Sequence, residues 1–197
     1  IQAEMKKELP IIPTLCKALP DYNNEWYQRW FIEANPSFWK GKNILDLGCN
    51  DDRCAKVLVD LVDGFTYTGV EINSVRYHHP QDTQRKNTIT FLEKTNVRKL
   101  TKNNFPKKFD IVCYFGFSPL NLKLAERILE DEGYLIHSGS IYSVLEVGNP
   151  DRSHDTLTEY GFQAKQQIIS RRPILGERGP SFVDDIIFLY KKALRRK

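Results

Sequence analysis

No stretch of this chain approaches the roughly 18 uninterrupted apolar residues that would cross a bilayer, and a mean hydropathy of −0.48 points the same way. No membrane segment is expected. Internal repeats, low-complexity tracts and Gly/Ser-rich linkers are missing from the 197 residues, which leaves one domain with a full-sized core. Cysteine is scarce, and Cys16, Cys49, Cys54 and Cys113 follow no zinc-ribbon or finger spacing. Buried free thiols in a reducing compartment, cytoplasmic or nuclear, are the expectation. No metal site is expected either, since His78 and His79 ahead of Pro80 have no further ligand nearby in sequence and read as a solvated turn. The opening IQAEMKKELPIIPTLCKALP is broken by prolines and lacks a small-residue cleavage site, so it reads as no secretory signal. It starts at Ile1 rather than Met, so the expectation allows for a targeting segment upstream.

A net charge of +4 is too small to indicate a partner, but its distribution is uneven. From Gly41 to Gln84 the acids Asp46, Asp51, Asp52, Asp60, Asp63, Glu71 and Asp82 outnumber Lys42, Arg53, Lys56 and Arg76. From Arg85 to Lys108 the balance reverses, with only Glu93 acidic. The stretches VRKLTKNNFPKK and KKALRRK, with Arg171, Arg172 and Arg178 near the second, are either phosphate-binding surface or solvated faces.

Residues 1–40 read as an N-terminal extension. Within YNNEWYQRWFIEANPSFW, Trp26, Tyr27, Trp30 and Phe31 recur at helical spacing before Pro36 stops the pattern. This predicts a helix laid across the main domain, glued to its core or serving as a lid. Residues 41–197 then alternate. NILDL, TYTGVEI, TITFLE, FDIVCYF and YLIHS are short apolar strands, while DDRCAKVLVDLV and SPLNLKLAERILED are helical in period. DTLTEYGF reads as a helix running into a sixth strand, QAKQQIIS, and VDDIIFLYKKA is the seventh. The prediction is an α/β domain with a doubly wound, mostly parallel sheet and helices on both faces. RRPILGERGPSF leaves no room for a crossover helix, so the last strand is expected to run antiparallel.

In such a sheet, ligands bind beyond the carboxyl ends of the strands. After the first strand comes DLGCNDDR, where Gly48 permits a sharp turn and close approach to a ligand. The second strand ends in Glu71, a carboxylate able to accept hydrogen bonds from ribose hydroxyls.

ILDLGCNDDR followed by TYTGVEIN, with FDIVCYF and GYLIHSGS downstream, resembles the class I S-adenosylmethionine-dependent methyltransferases from roughly Phe38 to the C-terminus. The resemblance implies a seven-stranded sheet whose last strand is antiparallel, and S-adenosylmethionine as cofactor. It places Gly48, Cys49 and Asn50 in the methionine-cradling loop, Asp46 as the acid ahead of it, Glu71 on the ribose and Asn96 beside the adenine; Tyr114 is read separately, as a wall of the adenine or substrate or as core. Where the family has three alternating glycines, this chain keeps Gly48 and carries Asn50 and Asp52. These are the residue types that best tolerate left-handed backbone. A dinucleotide is the competing ligand, but Asp46, Asp51 and Asp52 would repel its pyrophosphate and suit a sulfonium and an ammonium.

The implied chemistry is in-line methyl transfer, which rests on proximity, alignment and exclusion of water. His137 and Tyr114 are the candidate catalytic residues, with Ser118 a further candidate base; an imidazole titrates near neutrality. Phe115 and Phe117 are wall or core. FDIVCYFG lacks the Asn-Pro-Pro-Tyr type of motif, which disfavours methylation of an exocyclic base amine by that route. The expected acceptor is an oxygen or nitrogen of a small molecule or of RNA. The alternative is a catalytically silent methyltransferase-like scaffold subunit. A protein partner that completes the site stays open, and no oligomeric state is assigned.

Overall fold

The structure, a computed structural model, describes residues 15–16, 32, 36–75, 87–114, 122–140, 159–176 and 179–194, the side chains of 15–16, 138–140, 164–176 and 179–188 excepted. Eight strands form one sheet: β1 (Leu15–Cys16), β2 (Asn43–Leu47), β3 (Thr66–Val70), β4 (Thr88–Leu92), β5 (Phe109–Tyr114), β6 (Leu129–Ser140), β7 (Phe162–Gly176) and β8 (Gly179–Lys192). Their order is β1-β7-β8-β6-β5-β2-β3-β4. The seven expected strands all form. The eighth, β1, adds two residues of the N-terminal extension in parallel to the outside of β7. β8 runs antiparallel to both β6 and β7, and every other pairing is parallel. The helix expected around Trp26 and Trp30 lies outside the described residues, as do His78, His79 and the first half of DTLTEYGF.

The sheet is buried on both faces because its central strands carry apolar side chains in both directions. In β2, Ile44 faces one core cluster while Leu45 and Leu47 face the other. Helix α2 (Arg53–Leu61) covers the first face with Cys54, Ala55, Val57, Leu58 and Val59. Ile32 and Trp39, the latter at the end of the short helix α1 (Pro36–Trp39), complete that layer. Helix α3 (Leu122–Ile128) covers the second face with Leu124, Ala125 and Ile128. Between β4 and β5 the crossover uses two short 3-10 turns, Val97–Lys99 and Lys102–Asn104, with Val97, Leu100 and Phe105 packed on that second face. Among the described residues no helix is long and apolar enough to cross a membrane.

The order places a topological switch point at β2, whose neighbours are β3 on one side and β5 on the other. A crevice therefore opens beyond the C-terminal ends of these strands. At the opposite end, Lys192 is 4% exposed. Its ammonium donates to the carbonyls of Glu126 at 2.6 Å and Leu129 at 2.8 Å and pairs with Asp131 at 3.7 Å. The last residue of β8 thus donates to carbonyls at the end of α3 and the start of β6.

Candidate functional site

β2 and β3 end side by side, and the turns that follow them build the site together. After Leu47 the chain bends at Gly48, φ 70°, and again at Asn50, φ 64°. The N–H groups of Gly48 and Cys49 both donate to the Val70 carbonyl, at 2.8 and 3.0 Å, so the loop folds over the end of β3. Both bends use left-handed backbone, which glycine adopts freely and asparagine more readily than most residues. Asn50 therefore preserves the turn. Asp52 stands at φ −87°, ψ 8°, where no glycine is required, and pairs with Lys56 one helical turn on at 3.4 Å. A Cβ built on Gly48 meets nothing within 4 Å; the space over this bend is open.

Glu71 follows β3 and is 7% exposed. Its Oε2 accepts the Asn50 N–H at 2.8 Å, and its Oε1 accepts the backbone and side-chain N–H groups of Asn73 at 3.2 and 3.4 Å. One carboxylate thus ties the turn after β2 to the turn after β3. Its backbone is held as well, by Leu92 and Thr95 from the neighbouring strand end.

Beneath the loop, Asp46 on β2 is buried. The Tyr67 hydroxyl donates to its Oδ2 at 2.7 Å, while Oδ1 is buried without a partner. Burial raises the Asp46 pKa from 3.8 to about 6, the Tyr67 and Cys54 hydrogen bonds pull it back, and the charges of Asp51 and Glu71 add to the rise. Cys49, Cys54 and Cys113 are free. Burial, reinforced by the charge of Asp46, pushes all three thiols up, so they are neutral thiols and not thiolate nucleophiles.

Tyr114, the last residue of β5 and buried in the second core cluster, and His137, three residues before the end of β6, are register partners. Their rings stack at 6.0 Å between centroids with 27° between planes. Burial lowers the His137 pKa from 6.5 to about 4. The near-neutral titration expected from residue type is therefore absent: His137 is an uncharged ring at physiological pH, able to accept a hydrogen bond but a weak base.

No family model and no curated protein sequence matches the chain. Solved structures do. A protein named a hemolysin from Streptococcus thermophilus superposes with a TM-score of 0.63 at 16% identity, over 90% of this chain and 69% of that one. N-methyltransferase NodS from Bradyrhizobium japonicum gives a TM-score of 0.59 at 12% identity, over 89% of this chain and 100% of that one. A SAM-dependent methyltransferase from Methanosarcina mazei gives 0.56 at 16% identity, over 78% and 93%. The strand order, the antiparallel β8 and these superpositions agree. The fold is that of the class I methyltransferases.

Within this class I methyltransferase fold, Gly48, Cys49, Asn50 and Glu71 fall on two adjacent turns at the switch point, and Asp46 lies on β2 directly beneath them. Asn96 is close in chain to Thr95, whose N–H donates to the Glu71 carbonyl at 2.9 Å. Its side-chain oxygen is occupied, accepting the Arg98 N–H at 3.0 Å as the cap of a 3-10 turn. Phe115, Phe117 and Ser118 lie outside the described residues. Sequence reasoning missed two residues. Ile72, read as the end of a strand, lies past the end of β3 and is 60% exposed beside Glu71. Asn73 orients the Glu71 carboxylate; the signal was an amide two residues after a strand-end acid.

The donor set fits a cationic cofactor. Asp46, Asp51 and Glu71 lie close enough to perturb one buried carboxyl and one thiol, while the nearby guanidinium of Arg53 is taken by Asp51 at 2.6 Å. Open space over Gly48 gives an alkyl chain room to lie against the backbone. A diphosphate would meet the like charges of Asp46 and Glu71 there, while that of Asp51 is compensated by Arg53.

Proposed function

We propose that this protein is an S-adenosylmethionine-dependent methyltransferase acting on an oxygen or nitrogen nucleophile of a small molecule or RNA. The observation that supports it most is the Glu71 carboxylate, held by the Asn50 N–H across the ends of two neighbouring strands. It stands where a ribose diol can be gripped, next to an open, acidic turn. Bound there, the sulfonium supplies an activated methyl group. Glu71 orients the sugar, Asp46 and Asp51 set the negative potential, and Ile72 offers an apolar edge to a base. Tyr114 is packed in the core and supports the His137 ring stacked on it, which is the group proposed to face the acceptor. With a pKa of about 4, His137 aligns a nucleophile by accepting a hydrogen bond and does not retain its proton. Turnover then depends on positioning and on excluding water.

Calorimetric titration with S-adenosylmethionine and with its demethylated product tests this directly. Saturable binding is expected to both. Glu71→Gln keeps the shape and removes the charge, and is expected to weaken the affinity by roughly 10- to 100-fold, the value of one or two charge-assisted hydrogen bonds. Normal affinity in that variant would overturn the role of Glu71. A second reading, a silent scaffold, draws on the same carboxylate, because its bonds to Asn50 and Asn73 occupy acceptor positions that a ribose needs. No heat with either compound would favour it.

A further inference from the structure

The crossover from β4 to β5 carries Lys94, Arg98, Lys99, Lys102, Lys107 and Lys108, all exposed. Among the described residues none of these cations is in an ion pair. The one acid of the segment, Glu93, is engaged by the backbone, accepting the Val75 N–H. Because β4 and β5 point the same way, this segment must return from the crevice end of the sheet to the opposite end, a height of about 17 Å for five residues of strand. At the upper end, the Thr95 N–H bonds the Glu71 carbonyl; at the lower end, the Lys108 carbonyl accepts from the Asn43 side chain at the start of β2. Leu100 and Phe105 anchor the segment to the core between them. The result is a narrow row of unpaired positive charge that leads from the rim of the crevice down one face. The acidic turn Glu130–Glu132, close to Lys192 and hence to Lys108, bounds it below.

We infer that this row is a docking track for single-stranded RNA, whose backbone lies along the cations while one nucleotide reaches the crevice as methyl acceptor. The inference rests on the methyltransferase reading only for the fate of that nucleotide. Three features favour a single-stranded nucleic acid over duplex DNA and over a membrane surface. Arg98, Lys99 and Lys102 sit on 3-10 turns of three residues each, with Lys94, Lys107 and Lys108 on the bends that flank them, and neither a long helix nor a ribbon is available there to enter the major groove of duplex DNA. The strip carries none of the exposed large hydrophobic residues, which among the described residues are Ile72, Tyr160 and Leu194; a membrane surface would lack an inserted anchor. The crevice itself is acidic, so a polyanion gains by stopping at its rim and presenting a base, not a phosphate.

The test uses a fluorescein-labelled 15-nucleotide uridine-rich RNA and fluorescence anisotropy between 50 and 200 mM salt. Engaging four phosphates predicts a loss of affinity of roughly 50-fold over that range, and six roughly 300-fold. Lys99→Glu combined with Lys102→Glu is expected to weaken binding at least tenfold and flatten the salt dependence, whereas Lys40→Glu, off the strip, should change it less than about threefold. Both strip positions are exposed, and thermal unfolding of the double variant should match the parent. Equal RNA binding by the double variant, a flat salt response, or binding to phosphatidylserine vesicles in place of RNA would each overturn the track. Calorimetry with S-adenosylmethionine on the same preparations separates the two proposals. Loss of RNA binding with donor binding intact supports the track, and absence of donor binding in the parent protein refutes the methyltransferase reading without touching the track.

Discussion

Replacing Asp46 by asparagine should make the protein more stable at alkaline pH and no more stable in acid. Asp46 is 1% exposed, and burial raises its pKa from 3.8 to about 6. Between those values the folded chain holds a proton that the unfolded chain has released, so stability falls as pH rises through about 4 to 6. At about 1.4 kcal/mol for each pH unit separating the folded and unfolded values, about 3 kcal/mol is lost above pH 7. Asparagine cannot ionise and escapes that loss. Its oxygen can still accept from the Tyr67 hydroxyl, but its amide would then take the place of the unpartnered Oδ1, costing about 1–2 kcal/mol. The net expectation is a gain of about 1–2 kcal/mol at pH 8, or about 3–6 °C in Tm for a chain of this size, vanishing near pH 5 and turning into a loss of about 1 kcal/mol near pH 4. Urea unfolding of both proteins across pH 4 to 8 measures it. A variant less stable than the parent at pH 8, or a difference independent of pH, would contradict a charged and buried Asp46. A gain accompanied by weaker S-adenosylmethionine binding would identify the carboxylate as a group kept for its ligand at the expense of stability.

Two further outcomes follow from the site geometry. Asn50→Gly should leave thermal stability within about 1 kcal/mol of the parent, because the residue already stands at φ 64° and glycine trades strain for unfolded-state entropy; Asn50→Val, which resists left-handed backbone, should cost more in the same assay. Gly69→Ala should destabilise by about 1–3 kcal/mol, since its Cβ would lie 2.8 Å from the Phe91 ring and 2.9 Å from Cys49 Sγ. An unchanged denaturation midpoint would show that β3 and β4 can separate to admit it.

The strands were legible because each is a short apolar run, and the site was legible because it follows the strand ends. Boundaries were less so. TYTGVEI reads as a strand to Ile72, but β3 stops at Val70, whose carbonyl is taken by Gly48 and Cys49 of a loop distant in sequence. SPLNLKLAERILED reads as one helix, yet α3 ends at Ile128 and Leu129 already pairs with Phe109. Glu130, Asp131 and Glu132 would have stood at the negative end of the helix dipole, where acids are unfavourable, and Glu132 adopts φ 65° before Gly133. Pro173 and Pro180 argued for a loop, but β7 and β8 extend through them to the Gly176 and Gly179 pair, with proline lowering only the local pairing strength. The His137 pKa was not legible at all, since it is set by neighbours brought together by the fold.

The last strand in sequence is not at the margin of the sheet. β8 lies between β6 and β7, and Lys192 closes the end of α3 from its final residue. A growing chain therefore cannot complete this architecture until β8 has emerged. Until β8 is released, β6 presents an unpaired border and β7 has no place to dock, a condition that invites association with other nascent chains. Assembly of this half of the sheet therefore waits on the strand that arrives last.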